Sequence, residues 1–192
     1  MTRADRRETI LDAAVALLAE HGQGGLTHRA TDARARLPQG STSYYYPKKI
    51  ALLLAAADHL ALQLAADCDD LQVGFADRTA RQGIDAAVTY VAEEMASYAD
   101  SARPLFLARI ELTLAAARDP ALAAIGPRLT EAARRPIAFF LALISEGRTD
   151  APTKADIETC AALIDGITLM HVTGQGPKPT ADQVRAVFAA LL

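Results

Sequence analysis

The residues with the most informative chemistry lie near the amino terminus. One run of seven residues is small or polar and ends in two tyrosines: Gln39, Gly40, Ser41, Thr42, Ser43, Tyr44 and Tyr45. Such side chains suit a helix that enters the major groove of duplex DNA, because that groove is about 12 Å wide and exposes the donors and acceptors of the base edges. The tyrosine rings can reach phosphate or a thymine methyl group. The run therefore predicts a surface that reads DNA.

Cationic residues lie on either side of this run. Arg29 precedes it, and Lys48 and Lys49 follow it, at positions where phosphates would border the groove. Thr27 is a good helix N-cap, and the free N–H groups at the start of a helix can bind a phosphate. The segment thus combines residues suited to base contacts with residues suited to phosphate contacts.

Periodicity and helix-breaking residues predict three helices around this segment. Apolar residues at helical spacing indicate a first helix over residues 6–21, which the following glycines end. A second helix covers residues 27–35, a turn covers residues 36–38, and a third helix covers residues 39–45. Pro47 ends the third helix, since the residue before a proline is pushed out of the α region. Two short helices around a tight turn form a helix-turn-helix, whose second helix enters the major groove.

The remaining chain predicts only further helices, over residues 48–71, 79–98, 105–117, 119–147, 153–172 and 180–192. The first of these would be about 35 Å long, enough to reach from the amino-terminal head into a carboxy-terminal body. Gly126-Pro127 and Pro136 predict kinks or breaks. Thr153 is a predicted N-cap, and Thr180 with Gln183 forms a predicted capping box.

The composition favours an all-α fold. Of the 192 residues, 42 are Ala and 24 are Leu, which are strong helix formers, and none is Trp. Hydrophobic residues make up 51% and charged residues 22%, which excludes a disordered or fibrous chain. Two cysteines cannot form a disulfide framework, and the amino terminus has no apolar signal region. The longest uncharged apolar stretches are too short to span a bilayer. We therefore predict a soluble, cytoplasmic protein.

Charge is distributed unevenly along the chain. Residues 1–50 contain eight Lys or Arg and five Asp or Glu, a net charge of +3, whereas residues 51–192 contain twelve and eighteen, a net charge of −6. A basic head on an acidic body would meet a polyanion head first. The asymmetry is small enough to arise by chance, so its weight depends on the motif.

The same segment resembles a known family. Residues 27–35 and the run Leu37-Pro38-Gln39-Gly40-Ser41-Thr42-Ser43-Tyr44-Tyr45-Tyr46-Pro47-Lys48-Lys49 look like the DNA-binding head of tetracycline-repressor-like (TetR-like) bacterial regulators. Residues 10–14, Gly22 and Leu26-Thr27 fit the same pattern, and the resemblance covers about residues 6–60. Residues 163–167 resemble the dimer helix of these regulators more loosely. The sequence departs from the family at Arg36, where a turn glycine is usual, and at Thr42-Ser43, where a leucine and an aromatic residue are common.

The resemblance implies an all-α homodimer with a helix-turn-helix DNA-binding domain over residues 1–50 and a ligand-binding and dimerisation bundle over residues 51–192. It implies contacts to DNA from Thr27, His28 and Arg29, from the recognition run 39–45, and from Lys49, while Lys48 is added from its position alone. It also makes Tyr46 a buried aromatic residue. The expected partners are double-stranded operator DNA, a second copy of the chain and a small-molecule effector.

The bundle contains candidates for two further sites. Bulky or convertible side chains that could line an effector pocket are Tyr90, Phe106, Arg109, Phe139 and His171. An equally good interpretation is that most of them are core residues and that Arg109 pairs with Glu111 or Glu94. The last two predicted helices are apolar on more than one face, so a two-fold partner would cover one face. The candidate interface residues are Ile157, Ile164, Ile167, Val184 and Phe188.

The sequence therefore predicts a dimeric, ligand-responsive DNA-binding regulator that is a repressor released from a palindromic operator by a small molecule. The alternative is a DNA-tethering or protein-interaction module without a small ligand. No catalytic constellation is recognisable, so we predict no enzyme activity and no cofactor. His59, Cys68, Cys160 and His171 lack the spacing of zinc ligands, so no metal site is expected.

Overall fold

The computed structural model describes residues 2–145 and 151–190, and all regular structure in these residues is helical. This confirms the predicted all-α class. The helices are α1 (Arg3–Gly25), α2 (His28–Arg34), α3 (Ser41–Tyr45), α4 (Lys49–Gln82), α5 (Ile84–Ser101), α6 (Arg103–Arg118), a 3-10 turn (Pro120–Leu122), α7 (Ile125–Ile144), α8 (Lys154–Val172) and α9 (Ala181–Ala189). The predicted end of α7 near Gly147 and the last residues of the predicted final helix lie outside the described residues.

The first three helices form where the sequence predicts them, with shifted ends. Helix α1 begins at Arg3 because Thr2 and Asp5 form a capping box, and it contains a kink at Gly22, whose φ of 62° and ψ of −170° are not helical. The Thr27 side chain caps α2 by accepting a hydrogen bond from the N–H of Ala30. Helix α3 is shorter than predicted, since it begins at Ser41 after Gly40 in the left-handed conformation.

Helix α4 is 34 residues long and extends eleven residues beyond the predicted end at Leu71. The expectation that a new helix begins at Thr79 is wrong, because Thr79 lies inside α4 and the break comes at Gly83, where φ is +89°. Gly74 does not break the helix. A Cβ at Gly74 would lie 2.2 Å from the hydroxyl oxygen of Tyr90, so glycine here permits close packing. By length and composition α4 is apolar enough to cross a membrane, a property shared by the core helices of soluble proteins.

In the later helices the predicted caps are present, whereas the prolines do not interrupt the helix that contains them. Thr153 and Thr180 form capping boxes with Asp156 and Gln183, which confirms both predicted helix starts. Kinks or breaks were expected at Gly126-Pro127 and Pro136; the breaks are wrong, because the helix is continuous from Ile125 to Ile144 with Pro136 inside it, and the kinks stay a prediction. Gly126-Pro127 lies in its first turn, where a proline removes an N–H that has no helical partner anyway.

The chain packs as two compact units. Unit 1 contains residues 1–64 and 104–132, and unit 2 contains residues 65–103 and 133–192. Unit 2 has a core of branched aliphatic, small and aromatic side chains, in which Phe140 and Phe188 meet edge to face at 4.6 Å between ring centroids. In unit 1 the largest fully buried side chains include Ile10, Leu18 and Leu26 of the head region. The boundary at residue 50 between a DNA-binding domain and a ligand-binding bundle concerns function, and it stays a prediction.

Candidate nucleic-acid interface

A buried carboxylate, Asp32, holds α3 against α2. Asp32 is 3% exposed, and its two oxygens accept hydrogen bonds from the N–H of Gly40 at 2.7 Å, the N–H of Thr42 at 2.7 Å and the hydroxyl of Thr42 at 2.6 Å. These donors lie at the start of α3, so one side chain of α2 sets the position and direction of the predicted recognition helix. Nothing in the spacing of the sequence singled out Asp32.

The electrostatics of Asp32 follow from these contacts. Burial alone would raise the pKa of this carboxyl group, but the hydrogen bonds from Thr42 and Gly40, with a smaller contribution from His28, outweigh it and lower the pKa below its ordinary value. The carboxylate is therefore ionised whenever the head is folded near neutral pH. Ionised oxygens accept stronger hydrogen bonds than neutral ones, which makes Asp32 a firm anchor for α3.

Thr42 has to be removed from the predicted set of DNA-contacting side chains. It has no exposed surface, and its hydroxyl is donated to Asp32. A side chain enclosed in this way cannot reach a base edge. Its role is to attach α3 to the head. Tyr46 has the same role; it is 8% exposed, which confirms the prediction that this aromatic residue is buried.

The turn between α2 and α3 contains the expected departure from the family pattern. Arg36, where a glycine is usual, has a φ of +54°, the left-handed conformation that side chains other than glycine adopt at a cost. The turn keeps this shape because the N–H of Leu37 bonds to the carbonyl of Asp32, at 2.9 Å. A residue with a side chain therefore occupies the left-handed position of this turn.

The rest of the recognition run lies at the surface. Gln39, Gly40 and Ser43 are exposed, and Tyr44 is 72% exposed. Ser41 is half-buried and donates its hydroxyl hydrogen to the carbonyl of Pro38 at 2.6 Å. Tyr45 packs edge to face against Tyr44 at 5.1 Å between ring centroids. These side chains form a continuous outward surface on the carboxy-terminal side of the turn.

The predicted DNA-contacting residues at the start of α2 differ in their exposure and in their hydrogen-bond partners. Arg29 is exposed and available to a phosphate. The Nε2 atom of His28 lies 2.6 Å from the carbonyl oxygen of Tyr46, which fixes the end of α3 relative to α2. Thr27 uses its hydroxyl oxygen as the N-cap, and its carbonyl accepts the hydroxyl of Thr31.

The two lysines after the recognition run differ. Lys48 is exposed and makes no side-chain hydrogen bond among the described residues. The Nζ atom of Lys49 donates to the carbonyl of Gln23 at 2.7 Å. The N–H of the same Gln23 donates to the carboxylate of Glu111 on α6 at 3.4 Å, and that carboxylate lies 3.0 Å from where a Cβ on Gly22 would be. The kink of α1 is therefore held by α4 on one side and by α6 on the other.

The predicted effector residues are divided between the two units. Phe106 and Arg109 lie in unit 1, where Phe106 is 3% exposed and the Arg109 guanidinium lies 5.0 Å from its ring centroid. Tyr90, Phe139 and His171 lie in unit 2. Tyr90 and Phe139 both pack against the unit 2 core, and the Nε2 atom of His171 lies 2.7 Å from the Oδ1 atom of Asp100.

Two of these side chains have further partners in unit 2. The guanidinium of Arg78 lies 4.9 Å from the centroid of the Tyr90 ring, and Phe75 meets Phe139 edge to face at 5.6 Å. The carboxylate that pairs with His171, Asp100, also pairs with Lys178, whose Nζ lies 2.6 Å from its Oδ2. Hydrogen bonds from Lys178 and His171 lower the pKa of Asp100, so this carboxylate stays ionised.

The predicted dimer residues need a correction. Val184 is 2% exposed and Phe188 is fully buried, and both belong to the core of unit 2, so neither can face a second subunit. Ile157 and Ile164 are half-buried against the same core, and Ile167 is half-buried. The apolar side chains of α8 that do face outward are Leu163, Leu169 and Met170, which are 46%, 39% and 50% exposed. The assignment of Val184 and Phe188 is therefore wrong, while the dimer interface itself stays a prediction.

Neither cysteine has the surroundings of a reactive or metal-binding thiol. Cys68 and Cys160 are 1% and 0% exposed, and burial raises the pKa of both thiols. Among residues 2–145 and 151–190, no three His, Cys, Asp or Glu side chains are grouped so that they could hold a metal ion.

The fold and the arrangement of α2 and α3 define a helical DNA-binding regulator. The model of the tetracyclin repressor-like C-terminal domain matches residues 78–192, more than half of the chain. The protein therefore belongs to the tetracycline-repressor-like (TetR) family of transcriptional regulators. No curated protein resembles the chain closely enough to count as a match.

Solved structures agree with this membership. A TetR family member from Streptomyces coelicolor A3 is 26% identical, with a TM-score of 0.68, over 97% of this chain and 98% of the other. The multidrug binding protein EbrR, complexed with ethidium, is also 26% identical, with a TM-score of 0.67 and full coverage of both chains. A TetR transcription regulator from Haloarcula marismortui ATCC 43049 shares the fold at 20% identity and a TM-score of 0.69, over 98% of this chain and 95% of the other.

Proposed function

We propose that the protein is a cytoplasmic repressor that binds a near-palindromic operator as a homodimer and leaves it when a small molecule binds the bundle. The observation that carries this proposal is the Asp32 anchor. It fixes α3 while Gln39, Ser43 and Tyr44 stay exposed, and a rigidly held helix with short polar side chains is what major-groove recognition needs.

Sequence-specific binding is tested by selecting duplexes from a random pool and titrating the recovered sequence against unrelated duplex at several salt concentrations. We expect a preference for the selected sequence, and we expect Gln39→Ala to change which bases are preferred. The matched control is Gln82→Ala, an exposed glutamine at the end of α4. Equal binding to selected and unrelated duplex would refute the proposal.

The outward face of α8 is our proposed dimer interface. Leu163, Leu169 and Met170 are exposed, with Gly166 between them, and the helical spacing places them on one side. A two-fold mate would bury this face and present two recognition helices about 34–36 Å apart, one turn of DNA. We expect Leu169→Glu to shift the sedimentation coefficient to that of a monomer. Leu62→Glu, at an apolar side chain of α4 that is 70% exposed, should leave the dimer intact.

The effector is proposed to be an aromatic organic molecule that contacts unit 2. Two kinds of observation support it: the aromatic side chains Tyr90 and Phe139 beside the unit 2 core, and the ethidium complex of EbrR. Ethidium is a suitable probe, followed by its fluorescence without DNA. We expect Phe139→Ala to weaken its binding, whereas Tyr44→Ala, at an exposed tyrosine of the head, should not. Phe106, Arg109 and His171 remain sequence-based candidates for effector contacts.

Release from DNA is proposed to be a population shift between two head positions. A ligand shifts such an equilibrium only by binding the two states unequally. The connections available to transmit the shift are α4, through Lys49 and the carbonyl of Gln23, and α6, through Glu111 and the N–H of Gln23. We expect Glu111→Gln to change how much operator affinity falls on addition of effector, measured as a ratio of two dissociation constants. An unchanged ratio would exclude α6 from the coupling.

A further inference from the structure

The first turns of α1 place two arginines around a tyrosine of the recognition run. Arg3 and Arg7 are four residues apart, so they lie on the same side of the helix. Their guanidinium carbons are 6.0 and 5.9 Å from the centroid of the Tyr45 ring. Both arginines are exposed, while Tyr45 is half-buried. Burial raises the pKa of the neighbouring Tyr46 hydroxyl, and the nearby Arg7 guanidinium offsets part of that rise.

This placement is electrostatically unfavourable for the protein alone. The start of a helix carries partial positive charge, which favours acidic residues and disfavours cations. Two guanidinium groups share this end of α1, and within the described residues no carboxylate lies within salt-bridge distance of either. A contact between an aromatic ring and a solvent-exposed cation is weak, so the half-buried Tyr45 ring compensates only part of this cost. The nearby Asp5 is engaged with Thr2 in the capping box.

The two guanidinium groups adjoin the recognition surface. Tyr45 is the last residue of α3, and its ring contacts the ring of Tyr44, which is 72% exposed. A duplex seated on α3 would bring backbone phosphates beside this surface. Guanidinium groups bind phosphate oxygens in a two-pronged geometry that a lysine cannot copy.

We propose that Arg3 and Arg7 form a second phosphate-binding edge of the DNA interface, with the Tyr45 ring holding both guanidinium groups in position. This edge lies on α1, apart from the phosphate contacts that the sequence predicts for Arg29, Lys48 and Lys49. The proposal rests on the proposed function, because it assumes that α3 enters the major groove. It assigns Arg3 and Arg7 to affinity and orientation on the duplex, and not to the choice of bases.

The experiment measures the slope of log Kobs against log salt concentration for selected operator and unrelated duplex, with full-length Arg3→Ala, Arg7→Ala and the double variant. Each lost phosphate contact lowers the magnitude of the slope by about 0.9, so a dimer with two heads should lose about 1.8 per single variant and about 3.6 for the double variant. The ratio of operator to unrelated affinity should stay unchanged.

Arg6→Ala is the matched control, because Arg6 is exposed on the same turn but makes no contact with the Tyr45 ring among the described residues. An unchanged slope in the double variant overturns the proposal, as does an Arg6→Ala effect as large as that of Arg7→Ala, since either result removes the special role of the pair around Tyr45. Circular dichroism melting of each variant identifies loss of folding as the cause of weaker binding. If alanine unfolds the head, Arg3→Gln with Arg7→Gln removes both charges while it keeps long side chains, and it should lower the slope by the same amount. A wild-type protein without preference for any duplex sequence would refute the proposed function instead.

Discussion

Replacement of Asp32 should damage the head more than any other single carboxylate change in α1–α3. Three hydrogen bonds end on its oxygens at 2.6–2.7 Å, and two of their donors belong to fully buried Thr42. Hydrogen bonds to a charged group contribute about 1.5–3 kcal/mol each, and a buried donor left without a partner costs about 1–3 kcal/mol. Because such terms are not additive, we expect Asp32→Ala to lower the free energy of unfolding by about 3–5 kcal/mol.

Asp32→Asn provides a graded version of the same change. One amide oxygen can still accept both Thr42 donors, but the NH₂ group then faces the N–H of Gly40, so two donors oppose each other. We expect a loss of about 2 kcal/mol, between wild type and Asp32→Ala. Operator affinity should fall in the same order, since α3 loses its fixed position.

The assay is urea unfolding at fixed protein concentration, followed by circular dichroism, with the free energy taken from the midpoint and the slope. Asp77→Ala is the matched control, because Asp77 is exposed on α4 and, among the described residues, pairs with Arg81 one turn away. Such an exposed pair is worth well under about 1 kcal/mol. A loss below 1 kcal/mol for Asp32→Ala, or one equal to that of the control, would refute the anchor.

The pH dependence of Asp32 and the backbone conformations of Arg36 and Gly22 give three further predictions. Because the folded pKa of Asp32 lies below its unfolded value of 3.8, its contribution to stability is complete only well above that unfolded value and is lost as the pH falls through the folded pKa. The free energy of unfolding should therefore change less with pH in the acid range for Asp32→Asn than for wild type. Arg36→Gly should raise the free energy of unfolding by about 0.5–1 kcal/mol in urea titrations, since glycine adopts a φ of +54° without strain; a lower stability would contradict this. Gly22→Ala should cost about 2–3 kcal/mol, because its backbone conformation excludes a side chain and its Cβ would meet the Glu111 carboxylate. Gly24→Ala, with nothing within 4 Å of its Cβ, is the control and should not lower the melting temperature.

Local sequence sufficed for the all-α class and for the capped helix starts. Thr27, Thr153 and Thr180 marked helix starts because a cap needs only a side chain and N–H groups two or three residues away. The resemblance around residues 27–49 rested on residue types in order, and the family membership agrees with it. Tyr46 was also correctly expected to be buried.

Helix ends in the body and the direction of side chains needed the fold. Gly74 and Pro136 are breakers by type, yet both lie inside helices, Gly74 at the point where Tyr90 packs against it. Val184 and Phe188 were assigned to a dimer surface but lie in the subunit core. The assignment failed because an apolar stripe in the sequence is the same whether its own subunit or a second subunit covers it.

By itself the sequence determined the all-α class and the helix starts capped by Thr27, Thr153 and Thr180, since these depend on contacts within a few residues. It also predicted the stretch of chain that would face DNA. Only the tertiary structure decided that Asp32 anchors α3, that Thr42 points inward and that Glu111 reaches the kink of α1. Those contacts join residues from 8 to 88 positions apart, and only packing in three dimensions brings such residues together.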